Sequence, residues 1–187
     1  MLIDVTVKIT PKMAEDAQGN EKKTLLGHLG THFDVMNQEF PLDYVERNAI
    51  IFDVSEIVNR DITISDIKLD KVEAGMFVTF YTGFIESEGY GSRKYFTEHP
   101  QLSNELIDAL LSHDISIIGI DFAGVRRGKE HTRKDQYCAN KGVFIIENLC
   151  NLKTILHDKQ YALFIANTYP VNYSEITGLP CRVVAKV

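Results

Sequence analysis

The chain has 187 residues, enough for one domain with a sizeable core, and 44% hydrophobic against 25% charged residues is the balance of an ordinary globular protein. A formal net charge of −6 without any run of lysines or arginines argues against a nucleic-acid partner. No stretch reaches the roughly 18 apolar residues of a membrane span, and Met1-Leu2-Ile3-Asp4 lacks the charged and apolar regions of a signal peptide, so no membrane partner is expected.

Leu2 to Lys8 alternates apolar and polar residues and reads as a strand ended by Pro11. Lys12 to Lys23 is polar and contains Gly19-Asn20, so a loop or mobile flap is expected. Pro41 suits the first position of a short helix ending near Asn48, and Ala49 to Val54 follows as a buried strand. Asp61 to Lys71 reads as a small excursion, Met76 to Thr82 as a strand, and Ile85 to Glu98 as a long surface loop. Ser103 is a good N-cap for a helix over Asn104 to Ser112, with Leu106, Ile107, Leu110 and Leu111 as its apolar stripe. Ile115 to Ile120 is strand-like, Phe122 to Thr132 a glycine-rich basic loop, and Arg133 to Lys141 a helix stopped by Gly142. Val143 to Ile146 then forms a strand that delivers Glu147, and Tyr161 to Ala166 and Cys181 to Val187 are the last two strands. Seven or so strands with three or four short helices imply a single mixed α/β domain over residues 1–187.

The stretch His28-Leu-Gly-Thr-His32-Phe-Asp34 carries the first chemical signal. On an extended or tightly turning segment its two imidazoles and one carboxylate converge, and Gly30 lets the backbone bend. Borderline divalent metals such as zinc favour this mixture of nitrogen and oxygen donors. Glu147 is the second signal. A glutamate closing an apolar run needs a metal, an arginine such as Arg126 or Arg127, or hydrogen-bond donors, because burying a bare charge is expensive. Asp135 and His131 leave alternatives open: a helix-start aspartate or a ligand for the first, a ligand, a proton carrier or a loop histidine for the second. Cys138, Cys150 and Cys181 have no CxxC spacing and read as reduced, semi-buried thiols of a cytoplasmic protein. Tyr90, Tyr95 and Phe96 are read as packing residues before they are read as the wall of an aromatic pocket.

His28 to Asp34 matches the HxGTHxD pattern of the cyclase family, which includes bacterial kynurenine formamidases (arylformamidases), isatin hydrolases and similar metal-dependent amide or lactone hydrolases. Five further segments resemble that family in order: Gly75 to Phe84, Tyr95-Phe96 with His99-Pro100-Gln-Leu-Ser103, Ile118 to Asp121, Gly142 to Leu149 with Asn151-Leu152, and Gly178 to Ala185. The resemblance implies a swivelling β/β/α fold, a mixed sheet core with outer helices, and a homodimer or homotetramer. It also implies a divalent metal, Zn²⁺ or Mn²⁺, bound by His28, His32 and Asp34. In dinuclear members Asp34 bridges to a second ion held by a histidine and the glutamate matching Glu147. Two positions depart from the pattern. Gln38 stands where the proton-transferring histidine belongs, and Asp135 where the second site's histidine belongs. Gln38 can hydrogen-bond a water or a substrate carbonyl but cannot carry a proton near neutral pH. The resemblance thus implies a hydrolase of a small amide, lactam or lactone that uses a metal-activated water, with Glu147 first in rank, then Asp135 or His131, to replace the missing histidine. Arylformamidase activity itself is put in doubt by Gln38. The other readings are a metal-binding small-molecule carrier without hydrolysis and a metal-dependent lyase or cyclase. Substrate choice is expected from the segments Lys12 to Lys23 and Ile85 to Glu98.

Overall fold

The computed structural model describes residues 1–187, and one sheet runs through it from Leu2 to Lys186. Its strands are β1 (Leu2–Asp4), β2 (His32–Asp34), β3 (Glu46–Asp53), β4 (Phe77–Tyr81), β5 (Ile117–Ile120), β6 (Phe144–Glu147), β7 (Tyr161–Pro170) and β8 (Gly178–Lys186). The helices are α1 (Pro11–Asp16), α2 (Glu21–Thr24), α3 (Phe84–Glu88), α4 (Arg93–Thr97), α5 (Asn104–Ser112), α6 (His131–Ala139) and α7 (Lys153–Leu156). The spatial order is β1-β8-β2-β6-β5-β4-β3-β7, and a further β7–β8 pairing closes the sheet into a barrel. β3, β4, β5 and β6 are parallel to one another, whereas β2, β7 and β8 pair antiparallel.

Alternate residues of the parallel strands feed two apolar layers, as a period of two requires. One layer draws on all eight strands, with Phe33, Ile51, Phe77, Ile117, Ile146, Ala166 and Val183 among its members. The other takes Ile50, Phe52, Val78, Phe80, Ile118, Ile120 and Ile145 and is covered by α5 and by Cys138 of α6. Parallel strands covered on both faces read as continuous apolar runs, which is why Ala49–Val54 and Met76–Thr82 stand out in the sequence. β7 and β8 instead alternate buried and part-exposed positions. Leu106, Ile107 and Leu110 of α5 are fully buried, each worth about 1.5–3 kcal/mol, and Ser103 caps the helix by accepting from the Leu106 N–H.

Several expectations need correction. Lys12 to Lys23 is not a loop: Thr10 and Asn20 accept hydrogen bonds from Met13 N and Lys23 N and start α1 and α2. Pro11, read as a stop for the first strand, occupies the first turn of α1. Ile85 to Glu98 folds as α3 and α4, and Tyr95 within it is fully buried. The helix expected after Pro41 is a single 3₁₀ turn, Leu42–Val45, because Glu46 onward is already paired with β7. The first strand is shorter than expected, Leu2–Asp4 plus a lone bridge from Thr6 to Leu149. Cys138 and Cys181 are buried, Cys150 is half-buried, and all three are free thiols. Burial pushes the Cys138 thiol up to about 12, so it is no thiolate nucleophile at neutral pH. No helix is long and apolar enough to cross a membrane.

Candidate metal centre

The strand β2 is only three residues long, yet its alternation sorts the signature: His32 and Asp34 share one face while Phe33 enters the core. All three are buried, Phe33 completely. β6 pairs antiparallel with β2 so that Glu147 is the direct partner of His32, and residues opposed in this way project to the same side. His28 comes from the turn before β2. That turn passes through Gly27 and Gly30 with φ of +81° and +73°, and a Cβ at Gly27 would collide with the Gly178 carbonyl. α6 contributes His131 and Asp135, four apart and therefore on one helix face.

Two donor sets result, and they share Asp34. In the first, Nδ1 of His28 lies 3.0 Å from Nε2 of His32 and 3.1 Å from Oδ1 of Asp34, and His32 Nε2 is 3.5 Å from that oxygen. In the second, ligand atoms of Asp34, His131 and Asp135 fall within 4.8 Å of one another. Glu147 joins the two, with Oε2 3.7 Å from His32 Nε2 and Oε1 3.0 Å from His131 Nε2. His131 Nε2 is also 3.2 Å from Asp135 Oδ2. Arg126, the alternative partner for Glu147, is bound to Asp61 and Glu130 instead.

The electrostatics are those of three carboxylates and three imidazoles sharing one buried volume. Burial disfavours the His28 cation most and pulls its pKa down despite Asp34. Burial acts the same way on His32, but Asp34 and Glu147 outweigh it and push His32 up. Asp34 is buried too, yet the His32 and His28 rings hold its carboxyl well below the usual carboxylate range. Asp135 goes the other way: burial first, then the charges of Asp34 and Glu147, raise it well above that range. His131 is desolvated, and the neighbouring Glu147 still lifts its pKa.

Four buried atoms here make no hydrogen bond: Asp34 Oδ2, His131 Nε2, Asp135 Oδ1 and Glu147 Oε1. His131 Nε2 and Glu147 Oε1 lie 3.0 Å apart as an ion pair without a hydrogen bond. An unsatisfied buried group costs about 1–3 kcal/mol, more when charged. Four such atoms converging from β2, β6 and α6 fit a cation, and the mixture of imidazole and carboxylate suits a borderline divalent ion.

A hydrogen-bonded frame fixes the donors. His32 Nδ1 donates to Gly30 O at 2.9 Å, which directs Nε2 into the centre, and His28 Nε2 is bound to Thr177 Oγ1 at 2.8 Å. Asn148, at φ +61°, donates from Nδ2 to the same Gly30 O at 2.9 Å and accepts the Tyr95 hydroxyl at 2.8 Å. Thr31 Oγ1 donates to the Asn148 carbonyl, and Gly30 N donates to the Tyr90 hydroxyl.

The centre opens to a cleft of about 360 Å³ lined by Asn20, Lys22, Lys23, His28, His32, Phe96, Ala123, His131, Glu147 and Asn148. His28, His32, Asp34, His131, Asp135 and Glu147 are thus brought together. Gln38 is not: it is exposed and hydrogen-bonds to Asn37 beyond the end of β2. Sequence reasoning missed Asn148 and Thr177, whereas Lys22 and Lys23 lie in the segment from which substrate choice was expected. Asn148 had one usable signal, since asparagine tolerates the left-handed backbone better than most residues. Phe96 reaches the cleft, whereas Tyr95 stacks on Phe84 in the core, as packing residues do.

Comparison with known proteins agrees with this architecture. A search of curated proteins found no match. Among solved structures, one described as a potential metal-dependent hydrolase with cyclase activity superposes with a TM-score of 0.75 at 23% identity, covering 99% of this chain and 96% of that one. A predicted metal-dependent hydrolase from Bacillus stearothermophilus gives 0.72 at 21% identity, over 99% and 97% of the two chains. Isatin hydrolase A from Labrenzia aggregata, bound to benzyl benzoate, gives 0.73 at 16% identity, over 99% and 93%. The family model described as "Putative cyclase" matches residues 3–126, which includes His28, His32 and Asp34 and stops short of His131, Asp135 and Glu147. That span is well over half of the sequence, and the chain belongs to this cyclase family.

Proposed function

We propose that this protein is a metal-dependent hydrolase that opens a small amide, lactam or lactone. The observation that carries the reading is Asp34, shared by two donor sets whose buried oxygens and nitrogen lack hydrogen-bond partners. His28, His32 and Asp34 would hold one ion, and Asp34, His131 and Asp135 a second, with Zn²⁺ or Mn²⁺ suited to the donors. Such an ion supplies Lewis acidity, which polarises a carbonyl and acidifies water at neutral pH.

The chain's own residues supply proton handling. Glu147 lines the cleft, its Oε1 has no hydrogen-bond partner, and it is the group placed to take a proton from the attacking water. His131 Nε2 lies 3.0 Å from Glu147 Oε1 and 3.2 Å from Asp135 Oδ2, and its side chain, 21% exposed, is the most exposed of the six. With His131 Nε2 given to the second ion, Glu147 is also the group placed to return that proton to the leaving nitrogen or oxygen. General acid–base catalysis of this kind contributes about 100- to 10,000-fold. Glu147 therefore takes the role for which Gln38, which does not line the cleft, is unsuited.

The position of Gln38 also supports a second reading, a metal-binding small-molecule carrier without hydrolysis. Metal analysis of purified protein, followed by assays on N-formylkynurenine, isatin and simple lactones with Zn²⁺ or Mn²⁺, separates the two. Turnover that requires metal is expected. Metal uptake with every carbonyl substrate intact would favour the carrier, and no uptake at saturating Mn²⁺ would overturn both.

A further inference from the structure

Part of the cleft wall carries neither metal donors nor hydrogen-bond frame. α2 brings Lys22 and Lys23 to it, α4 brings Phe96, and Ala123 adds only a methyl group. α2 is tied to the metal centre through the backbone, because Lys22 O accepts from His28 N at 3.2 Å. Asn20 fixes its start by accepting from Lys23 N. Lys23 is half-buried, with Nζ 4.5 Å above the Phe96 ring, and neither Lys22 nor Lys23 has a carboxylate within 4.0 Å, unlike Lys12 or Lys94.

Two ammonium groups without a carboxylate partner, one of them over the Phe96 ring, on the wall of a cleft that also holds Glu147, define a ligand chemistry. An anion approaching Glu147 at the cleft wall alone would be repelled. With the lysines at the wall it meets positive charge first, and compact ammonium groups bind oxyanions as point charges. The volume, about 360 Å³, suits a molecule of one or two rings.

We propose that the cleft selects a small planar substrate bearing a carboxylate, held by Lys22 and Lys23 beside Phe96, with its hydrolysable carbonyl toward His131 and Glu147. This rests on the hydrolase reading of the same site for the identity of the reacting group, but not for binding of the carboxylate.

The test is calorimetric titration of the Mn²⁺-loaded full chain with benzoate and with benzamide, its neutral isostere. Wild type, the Lys22→Met/Lys23→Met double variant and the Lys22→Arg/Lys23→Arg double variant are compared at equal manganese content. Wild type should bind benzoate at least tenfold more tightly than benzamide. The methionine variant should lose that preference while binding benzamide within about threefold of wild type, and the arginine variant should retain it. Equal benzoate affinity in wild type and methionine variant would overturn the proposal, since the carboxylate would then be held elsewhere, on the metal for example. So would a wild type that does not distinguish the two ligands. Turnover of 3-formamidobenzoate and formanilide separates this from the hydrolase reading. Benzoate selectivity with neither formamide cleaved removes hydrolysis and leaves the carboxylate site, whereas equal cleavage of both in wild type and methionine variant does the reverse.

Discussion

His32 and Glu147 face one another across the antiparallel β2–β6 pair, with His32 Nε2 3.7 Å from Glu147 Oε2. One strand pairing therefore sets the distance between the HxGTHxD signature and a carboxylate more than a hundred positions later in the chain. Glu147 belongs to neither set of donors whose ligand atoms lie within 4.8 Å of one another, so its charge can be removed without dismantling the first set. Glu147→Gln keeps the shape, and turnover should fall about 100-fold or more while binding of the ion at His28, His32 and Asp34 persists. Steady-state kinetics beside metal analysis checks this; turnover within about threefold of wild type would remove Glu147 from proton transfer.

Asn148 is expected to matter for both stability and metal affinity. Asn148→Ala leaves the buried Tyr95 hydroxyl unpaired and places a Cβ residue without asparagine's local hydrogen bonding at φ +61°, for a total of about 2–4 kcal/mol. Asn148→Gly should recover about 1 kcal/mol of that by removing the backbone strain alone. Both variants release Gly30 O, the acceptor for His32 Nδ1, and metal affinity should fall about tenfold in each. Urea unfolding and metal titration read the two effects separately, and an alanine variant as stable as the glycine one would contradict the strain argument.

Asp121 gives the chain a pH dependence of known sign. It accepts from Thr82 N, Thr82 Oγ1 and Gly83 N, tying the ends of β4 and β5 together, but burial dominates and pushes its pKa up to about 7. Between pH 4 and 7 the folded carboxyl holds a proton that the unfolded one releases. The Asp121 contribution to stability therefore falls as pH rises, by up to about 1.4 kcal/mol per pH unit, and levels off above 7. In Asp121→Asn this slope disappears. The difference in unfolding free energy between wild type and variant, measured across that range with metal chelated, should shrink in favour of the variant as pH rises; a constant difference would show that Asp121 stays ionised throughout.

Position 38 offers a negative prediction. Gln38 is exposed, contacts Asn37, and does not line the cleft. Gln38→His should change turnover by less than about threefold, because an imidazole there meets solvent. A tenfold rise would place position 38 at the reacting carbonyl and displace Glu147 from its proposed role.

The contrast between residues 28–34 and 12–23 shows what was legible in the sequence. His28, His32 and Asp34 could be read because short-range spacing and the pleat of β2 alone decide which side chains converge. Glu147 could be read because a charge closing an apolar run must have a partner. α1 to α4 were read as loops because helices of four to six residues carry no apolar periodicity, and only their caps, Thr10, Asn20 and Ser92, announce them. Lys12 to Lys23 and Ile85 to Glu98 could be read as the segments that set substrate choice, with Phe96 weighed as a pocket wall, but which of their residues reach the cleft depends on where those short helices dock. Asp135 was ambiguous until α6 set it one turn from His131 with its face against β6, a tertiary fact that helix propensity does not encode.

The central claim is that Asp34 is shared by two sets of metal donors. It is tested most directly by calorimetric titration of wild type and Asp34→Asn with Mn²⁺ and Zn²⁺, alongside thermal unfolding. Wild type should take up metal stoichiometrically and gain roughly 5–10 °C in Tm at a metal concentration of about 100 Kd. Asp34→Asn should lose both the stoichiometric uptake and the thermal shift. Full uptake by Asp34→Asn, with the same rise in Tm, would contradict the account.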